Sequence, residues 1–141
     1  MIKNEILYSM RETCEMTGLT YDTLKFYCNE NLIPNVKRNK SNYRVFNDND
    51  INWIKSLSCL KKCGMSIEEM REYLNLCLKG QSSIPERQEI LDAKLCELEK
   101  KKQEIQEAID FVHWKQNFYN DVISGKKKYF SYLIKTENDD N

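Results

Sequence analysis

The stretch Thr20-Tyr21-Asp22-Thr23-Leu24-Lys25-Phe26-Tyr27-Cys28-Asn29 decides how this chain is read. Thr20 can cap a helix whose apolar positions, Leu24 and then Tyr27 or Cys28, recur at helical spacing. Just before it, Ser9-Met10-Arg11-Glu12 has the S-x-x-E form of a capping box, which predicts a short helix from Met10 to Met16 stopped by Gly18. Two short helices joined through a Gly-containing turn make a helix-turn-helix. The pattern alone equally fits two helices packed in any all-α core.

The residues after Asn29 narrow the choice. Pro34 ends the second helix and biases Ile33 to an extended conformation. Residues 35–46 read as a short hairpin, with strand character at Val36 and at Tyr43-Arg44-Val45-Phe46. Asn39-Lys40-Ser41-Asn42 supplies the turn, and Asn39 or Asn42 can take the positive φ that Gly would otherwise provide. The hairpin is basic: Lys37, Arg38, Lys40 and Arg44 have no acid between them. A basic hairpin after two helices is the winged form of the helix-turn-helix, and its cations can neutralise phosphates and release counterions. The plainer reading is a solvated hairpin whose charges blunt a sheet edge.

Downstream, Asn47 caps a predicted helix from Asp48 to Cys63, with Ile51, Ile54, Leu57 and Leu60 in an i, i+3 series. Gly64 ends it. Ser66-Ile67-Glu68-Glu69 is a second capping box, opening a helix to about Leu78. Residues 79–83 read as a linker, and Pro85 suits the first turn of a new helix. From Pro85 to about Val122 there is no Gly and no further Pro. In heptads, the d positions Ile84, Leu91, Leu98, Ile105, Val112 and Tyr119 are all apolar or aromatic; among the a positions only Leu95 and Ile109 are apolar. This is a coiled-coil seam with polar breaks. At 1.5 Å per residue the helix spans about 55 Å, too long to bury its stripe on four short helices, so a second copy of the chain is the expected partner. After Ser124-Gly125, the run Lys126-Lys127-Lys128 complements the helix dipole, and Tyr129, Phe130, Tyr132 and Leu133 are expected to dock. Glu137 to Asn141 reads as a disordered tail. The domain expectation is thus 1–80, 81–123 and 124–141.

Composition agrees. The 141 residues carry 22 basic and 22 acidic side chains, yet residues 1–64 hold ten basic and seven acidic and residues 65–141 hold twelve and fifteen. A net of +3 in front and −3 behind hides in a total of zero, and such asymmetry points to a nucleic-acid surface on the front half. Four Gly and two Pro argue for helices over a turn-rich β-sandwich. No window approaches 18 consecutive apolar residues and no signal peptide is evident, so a cytoplasmic protein without a membrane partner is expected. The six Cys, at 14, 28, 59, 63, 77 and 96, contain no CxxC pair and are expected to be reduced.

Several motifs in fixed order resemble the MerR family of bacterial transcriptional regulators. Thr23-Leu24-Lys25-Phe26-Tyr27 is similar to the family's recognition-helix segment. Asn31-Leu32-Ile33-Pro34 is similar to the segment after it, Asn42-Tyr43-Arg44-Val45-Phe46 to its wing, and Asp48-Asn49-Asp50-Ile51 and Cys63-Gly64-Met65-Ser66-Ile67-Glu68-Glu69-Met70 to the helices beyond. The resemblance implies a mainly α fold: a winged helix-turn-helix followed by a long dimerisation helix in an antiparallel coiled coil. It implies a homodimer on a palindromic promoter that acts on RNA polymerase by distorting an over-long spacer. Carried over by position, Lys25 and Tyr27 contact DNA from the second helix, with Tyr21 near its start, and Tyr43 and Arg44 grip the backbone. Lys37 and Arg38 join them on charge grounds. The chain departs at Asp22, where the family often has a basic residue; a carboxylate there repels phosphate or accepts from a cytosine amino group. Lys25 stands for the commoner Arg and loses its bidentate fork. Asn42 stands for the wing Gly.

For an effector, metal-sensing members place Cys ligands at and after the end of the dimerisation helix, whereas this chain has no Cys beyond Cys96 and a single His, His113. No metal site and no cofactor are expected. Cys59 aligns with a lone third-helix Cys in the subgroup associated with aldehydes and other thiol-reactive electrophiles. It is the sensing candidate, beside two packed small hydrophobes at Cys59 and Cys63 as the plainer reading. A small apolar or cationic ligand near the C-terminal aromatics is the other effector expectation. The competing functions are a structural coiled-coil DNA-binding protein without effector and a thiol enzyme. One His far in sequence from most Cys disfavours the enzyme.

Overall fold

A computed structural model describes residues 4–136. The expected tail from Glu137 lies outside the described residues. The element order is β1 (Tyr8–Ser9), α1 (Met10–Thr17), α2 (Tyr21–Asn29), β2 (Lys37–Arg38), β3 (Arg44–Phe46), α3 (Asp48–Lys62), α4 (Ile67–Leu78), a 3₁₀ turn (Gln81–Ser83) and α5 (Ile84–Ile123). Two compact units result, one ending at Lys94 and the other beginning at Leu95.

Side chains start the four short helices. Ser9 and Ser66 each accept from the amide three residues on, and Glu12 and Glu69 reach back to the cap residue. Asn47 and Asp50 make the same reciprocal pair at the head of α3. Thr20 accepts from the Thr23 amide at the start of α2. Gly18 closes α1 in the left-handed conformation, at φ 75°. α1 therefore runs one residue past the expected Met16.

The hairpin of β2 and β3 is present, with Lys37 opposite Val45 and Arg38 opposite Arg44. At its turn, Asn42 takes φ 67°, and the Asn39 carboxamide oxygen accepts from the amides of Ser41 and Tyr43. β1 was not foreseen. It pairs antiparallel with β3, Tyr8 opposite Phe46, to give the order β1-β3-β2. Two residues are too short to show an alternating pattern. The strand is fixed from a distance: the Tyr8 hydroxyl donates to Asp48 at 2.8 Å.

The core of the first unit gathers Leu24, Tyr27, Leu32, Phe46, Ile54 and Leu57, each at most 2% exposed. Ile51, Met65 and Met70 join them. Burial of each such side chain contributes about 1.5–3 kcal/mol. The i, i+3 series on α3 is thus the inward face, and the Trp53 indole beside it donates to the Leu32 carbonyl at 2.7 Å.

The expected linker at 79–83 is a packed turn. The buried Ser83 hydroxyl donates to the carbonyls of Leu76 and Gly80, and Arg87 donates to Gly80 at 2.7 Å. These side chains add donors to the carbonyls of Leu76, in the last turn of α4, and of Gly80 beyond it. Ile90 packs on the core and Lys94 meets Glu69 at 2.7 Å. The first turns of α5 consequently belong to the first unit, and the division falls inside the helix instead of at residue 80.

In the second unit Phe118 is buried, stacked on Trp114 and met edge-on by Phe130 at 5.2 Å. Of the four residues expected to dock, Phe130 meets Phe118 yet stays 39% exposed, Tyr129 is 44% exposed, and Tyr132 and Leu133 stay about nine-tenths exposed. Lys127 lies 3.5 Å from Asp121 in the last turn of α5. Along α5 the seam residues Leu95, Ile105, Ile109 and Val112 are 41–61% exposed. A shallow groove of about 420 Å³ runs over Ile105, Ile109, Val112 and His113.

Two outcomes are expected. Asn42→Gly keeps the melting temperature, whereas Asn42→Ala costs about 1 kcal/mol in denaturant unfolding, because Ala tolerates the left-handed conformation poorly. Lys94, and hydrogen bonds from Ser66, hold the Glu69 carboxyl below its usual value of 4.5. A depressed carboxylate stabilises the fold above that value and loses its contribution as pH falls through the lower folded one. Glu69→Gln should therefore flatten the acid limb of a melting-temperature series below about pH 4.5.

Candidate nucleic-acid interface

α2 sorts its side chains by face. Leu24, Tyr27 and Cys28 turn inward. Tyr21 and Lys25, one turn apart, lie exposed. Tyr27 corrects the sequence reading: at 2% exposure its ring is core and offers no surface to DNA. Its neighbour Phe26 is the exposed aromatic of this segment.

The hairpin carries the remaining cations. Lys37 and Arg38 are exposed, and Tyr43 at the turn is 71% exposed. Arg44 is half-buried, and its guanidinium donates to the Asn29 carboxamide oxygen at 2.8 Å. That bond ties the hairpin to the last residue of α2. Arg38 donates to the Asn42 carbonyl at 2.9 Å and so braces the turn. Lys37 lies 3.7 Å from Glu5, a pair exposed enough for solvent to screen it. The sequence assigns Lys37 and Arg38 to phosphate on charge grounds and Arg44 by the family resemblance. Arg44 and Arg38 also have local partners that set their directions, and the sequence did not reveal Asn29 as one of them.

The guanidinium groups leave a mark on Cys28. Burial pushes its thiol up, and the Arg44 and Arg38 charges oppose that shift. Burial also raises Cys14, with the Glu15 charge adding to it. Raised thiols are poor nucleophiles, which agrees with packing roles for both.

Cys59 lies apart from the hairpin. It is exposed and borders a groove of about 380 Å³ between α3 and α4, walled by Trp53, Leu60, Tyr73 and Cys77. Cys63 follows α3 as its cap residue and is half-buried. The expected pairing of Cys59 with Cys63 as packed core thiols fails for Cys59, which is not buried. Cys77 was missed. Its sulfur sits 3.9 Å from the Arg87 guanidinium. Among the described residues no three His, Cys, Asp or Glu gather as a metal site. No helix there is long and apolar enough to cross a membrane.

This arrangement can be set beside known proteins. The chain matches the MerR HTH family regulatory protein description over residues 8–77 and the MerR DNA-binding description over residues 52–112. An uncharacterised HTH-type transcriptional regulator of Haemophilus influenzae is 30% identical over 79% of this chain and 83% of its own length. The HTH-type transcriptional regulator AdhR of Bacillus subtilis is 36% identical over 59% of each chain. Among solved structures, HiNmlR, a MerR family regulator lacking the sensor domain and bound to promoter DNA, is similar with a TM-score of 0.74 and 28% identity, over 84% of this chain and 90% of that one. A MerR family regulator of Listeria monocytogenes has the same TM-score at 30% identity, over 84% of this chain and 89% of its own. With α2 held by its apolar face and a basic hairpin tied to its end, the chain belongs to the MerR family of DNA-binding transcriptional regulators.

Proposed function

We propose that the chain binds a palindromic promoter as a homodimer, with α2 in the major groove and the β2–β3 hairpin as a wing on the phosphate backbone. Tyr21 and Lys25 read from α2; Lys37, Arg38, Tyr43 and Arg44 hold the backbone. The observation that carries this reading is the Arg44–Asn29 hydrogen bond, which couples the hairpin to the recognition helix. Coupled in this way, backbone grip sets the register in which α2 meets the bases. The similar regulator HiNmlR is described as bound to promoter DNA, which supports the same use here.

The second copy covers the exposed seam of α5 in an antiparallel coiled coil, with Leu95, Ile105, Ile109 and Val112 at its centre. Two linked DNA-binding units then distort the promoter spacer and so bring the polymerase elements into register. Cys59 is the effector residue. It is an exposed thiol on α3, the helix whose inner face carries much of the core under α2. Modification by a thiol-reactive electrophile changes packing along α3 and α4, and with it the distortion of the bound promoter.

Promoter mapping with the purified protein tests the whole reading: one or a few palindromic sites support it, and uniform affinity for any duplex favours a structural DNA-binding protein. Arg44→Ala should lower operator affinity and reduce the salt slope of log K by about one. Ile109→Glu should convert a dimer to a monomer in sedimentation while helical circular dichroism persists. Cys59→Ser should abolish the transcriptional response to an aldehyde without changing operator affinity.

A further inference from the structure

Two nucleophiles share the groove between α3 and α4. Lys55 and Cys59 both line it, beside the half-buried rings of Trp53 and Tyr73. Both are exposed, so a small molecule reaches the amine and the thiol without displacing core atoms. They stand four residues apart on α3, which puts their Cβ atoms about 5–6 Å from each other on one face of the helix. The Lys55 nitrogen is carried on a flexible chain of methylenes and can reach the sulfur.

The Lys55 amine is not committed elsewhere. Among the described residues it has no ion pair and no hydrogen bond. The carboxylates of α3 are taken up at its start, Asp48 by the Tyr8 hydroxyl and Asp50 by the Asn47 amide. Two other nucleophiles lie near Cys59. Lys62 follows it on α3 but does not line the groove. Cys77 lines the groove from α4, where it is half-buried and its sulfur sits 3.9 Å from the Arg87 guanidinium. Of the amines and thiols around Cys59, Lys55 is the one that is both exposed and in the groove.

We infer that Lys55 and Cys59 together form a modification site for small aldehydes, closed by a one-carbon bridge between the sulfur and the nitrogen. Its place in regulation rests on the reading of Cys59 as the electrophile-sensing thiol. First the sulfur bonds to the carbonyl carbon and the thiol proton passes to the carbonyl oxygen, giving a hemithioacetal. The uncharged Lys55 amine then bonds to the same carbon as the C–O bond breaks, and the hydroxyl leaves with an amine proton as water. No oxidant or reductant takes part. An alkyl halide, by contrast, caps the thiol and leaves no second leaving group. The bridge therefore separates aldehydes from simple alkylating agents, and it ties one turn of α3 on the side that faces α4.

The test treats the full chain with equimolar formaldehyde and maps the product by trypsin and mass spectrometry. The bridge should appear as a peptide left uncleaved at Lys55 and heavier by about 12 Da, formaldehyde less one water. Its yield should rise with pH, because the amine attacks only when uncharged. Iodoacetamide should modify Cys59 and leave Lys55 open to trypsin. Lys55→Arg keeps the charge at an exposed position and should lose the bridged peptide, as should Cys59→Ser. Normal cleavage at Lys55 in the treated wild type, a bridge mapped to Lys62 or Cys77, or the same mass gain in Cys59→Ser would each overturn the site. If the promoter still responds to formaldehyde through Cys59, those results leave the sensing reading standing. A mapped Lys55–Cys59 bridge with a full response in Cys59→Ser does the reverse: it supports the site and overturns the sensing reading. In a reporter assay, the response should persist after formaldehyde is removed from wild type and decay in Lys55→Arg, and equal decay overturns the regulatory consequence.

Discussion

Burial of Leu24, Tyr27 and Cys28 in the core that also holds Ile51, Ile54 and Leu57 of α3 is the constraint on which the rest depends. It fixes the rotation of α2 about its own axis. A helix of nine residues has little stability of its own, so its packing decides both that it forms and which way it faces. With those three positions inward, Tyr21, Lys25 and Phe26 are left outside. The surface proposed to meet DNA is what remains once the core has been satisfied.

The hairpin depends on the same core. Phe46 at the end of β3 is fully buried, and Val45 beside it is nearly so. Those two residues anchor the base of a strand whose other end reaches solvent. Pairing with β1 on one side and β2 on the other leaves β3 no free edge. The basic turn can then project without loss of register, and the Arg44–Asn29 bond limits how far it swings relative to α2.

α5 serves two regions at once. Its first turns belong to the first unit through Ile90, Arg87 and the Lys94–Glu69 pair. Glu69 also belongs to the capping box that opens α4, so one carboxylate both starts a helix and holds the next. From Leu95 onward the helix exposes an apolar stripe with aromatics gathered at its far end.

Sequence alone determined the helices, their caps and the hairpin, because these depend on local rules: S-x-x-E boxes, Gly and Asn at positive φ, and apolar residues at helical spacing. It also placed Tyr27 on the inward stripe with Leu24, although the family resemblance had drawn the same residue to the DNA; the spacing was the sounder guide, since burial tracks periodicity within this helix. Tertiary structure alone decided what depends on partners distant in the chain. β1 exists because Phe46 and Asp48 lie beside it, Arg44 is directed by Asn29, and residues 79–83 are ordered by Ser83 and Arg87 instead of forming a free linker. The groove beside Cys59 is of the same kind. A pattern along one helix specifies which side is buried, whereas a cleft is the space that several elements leave between them.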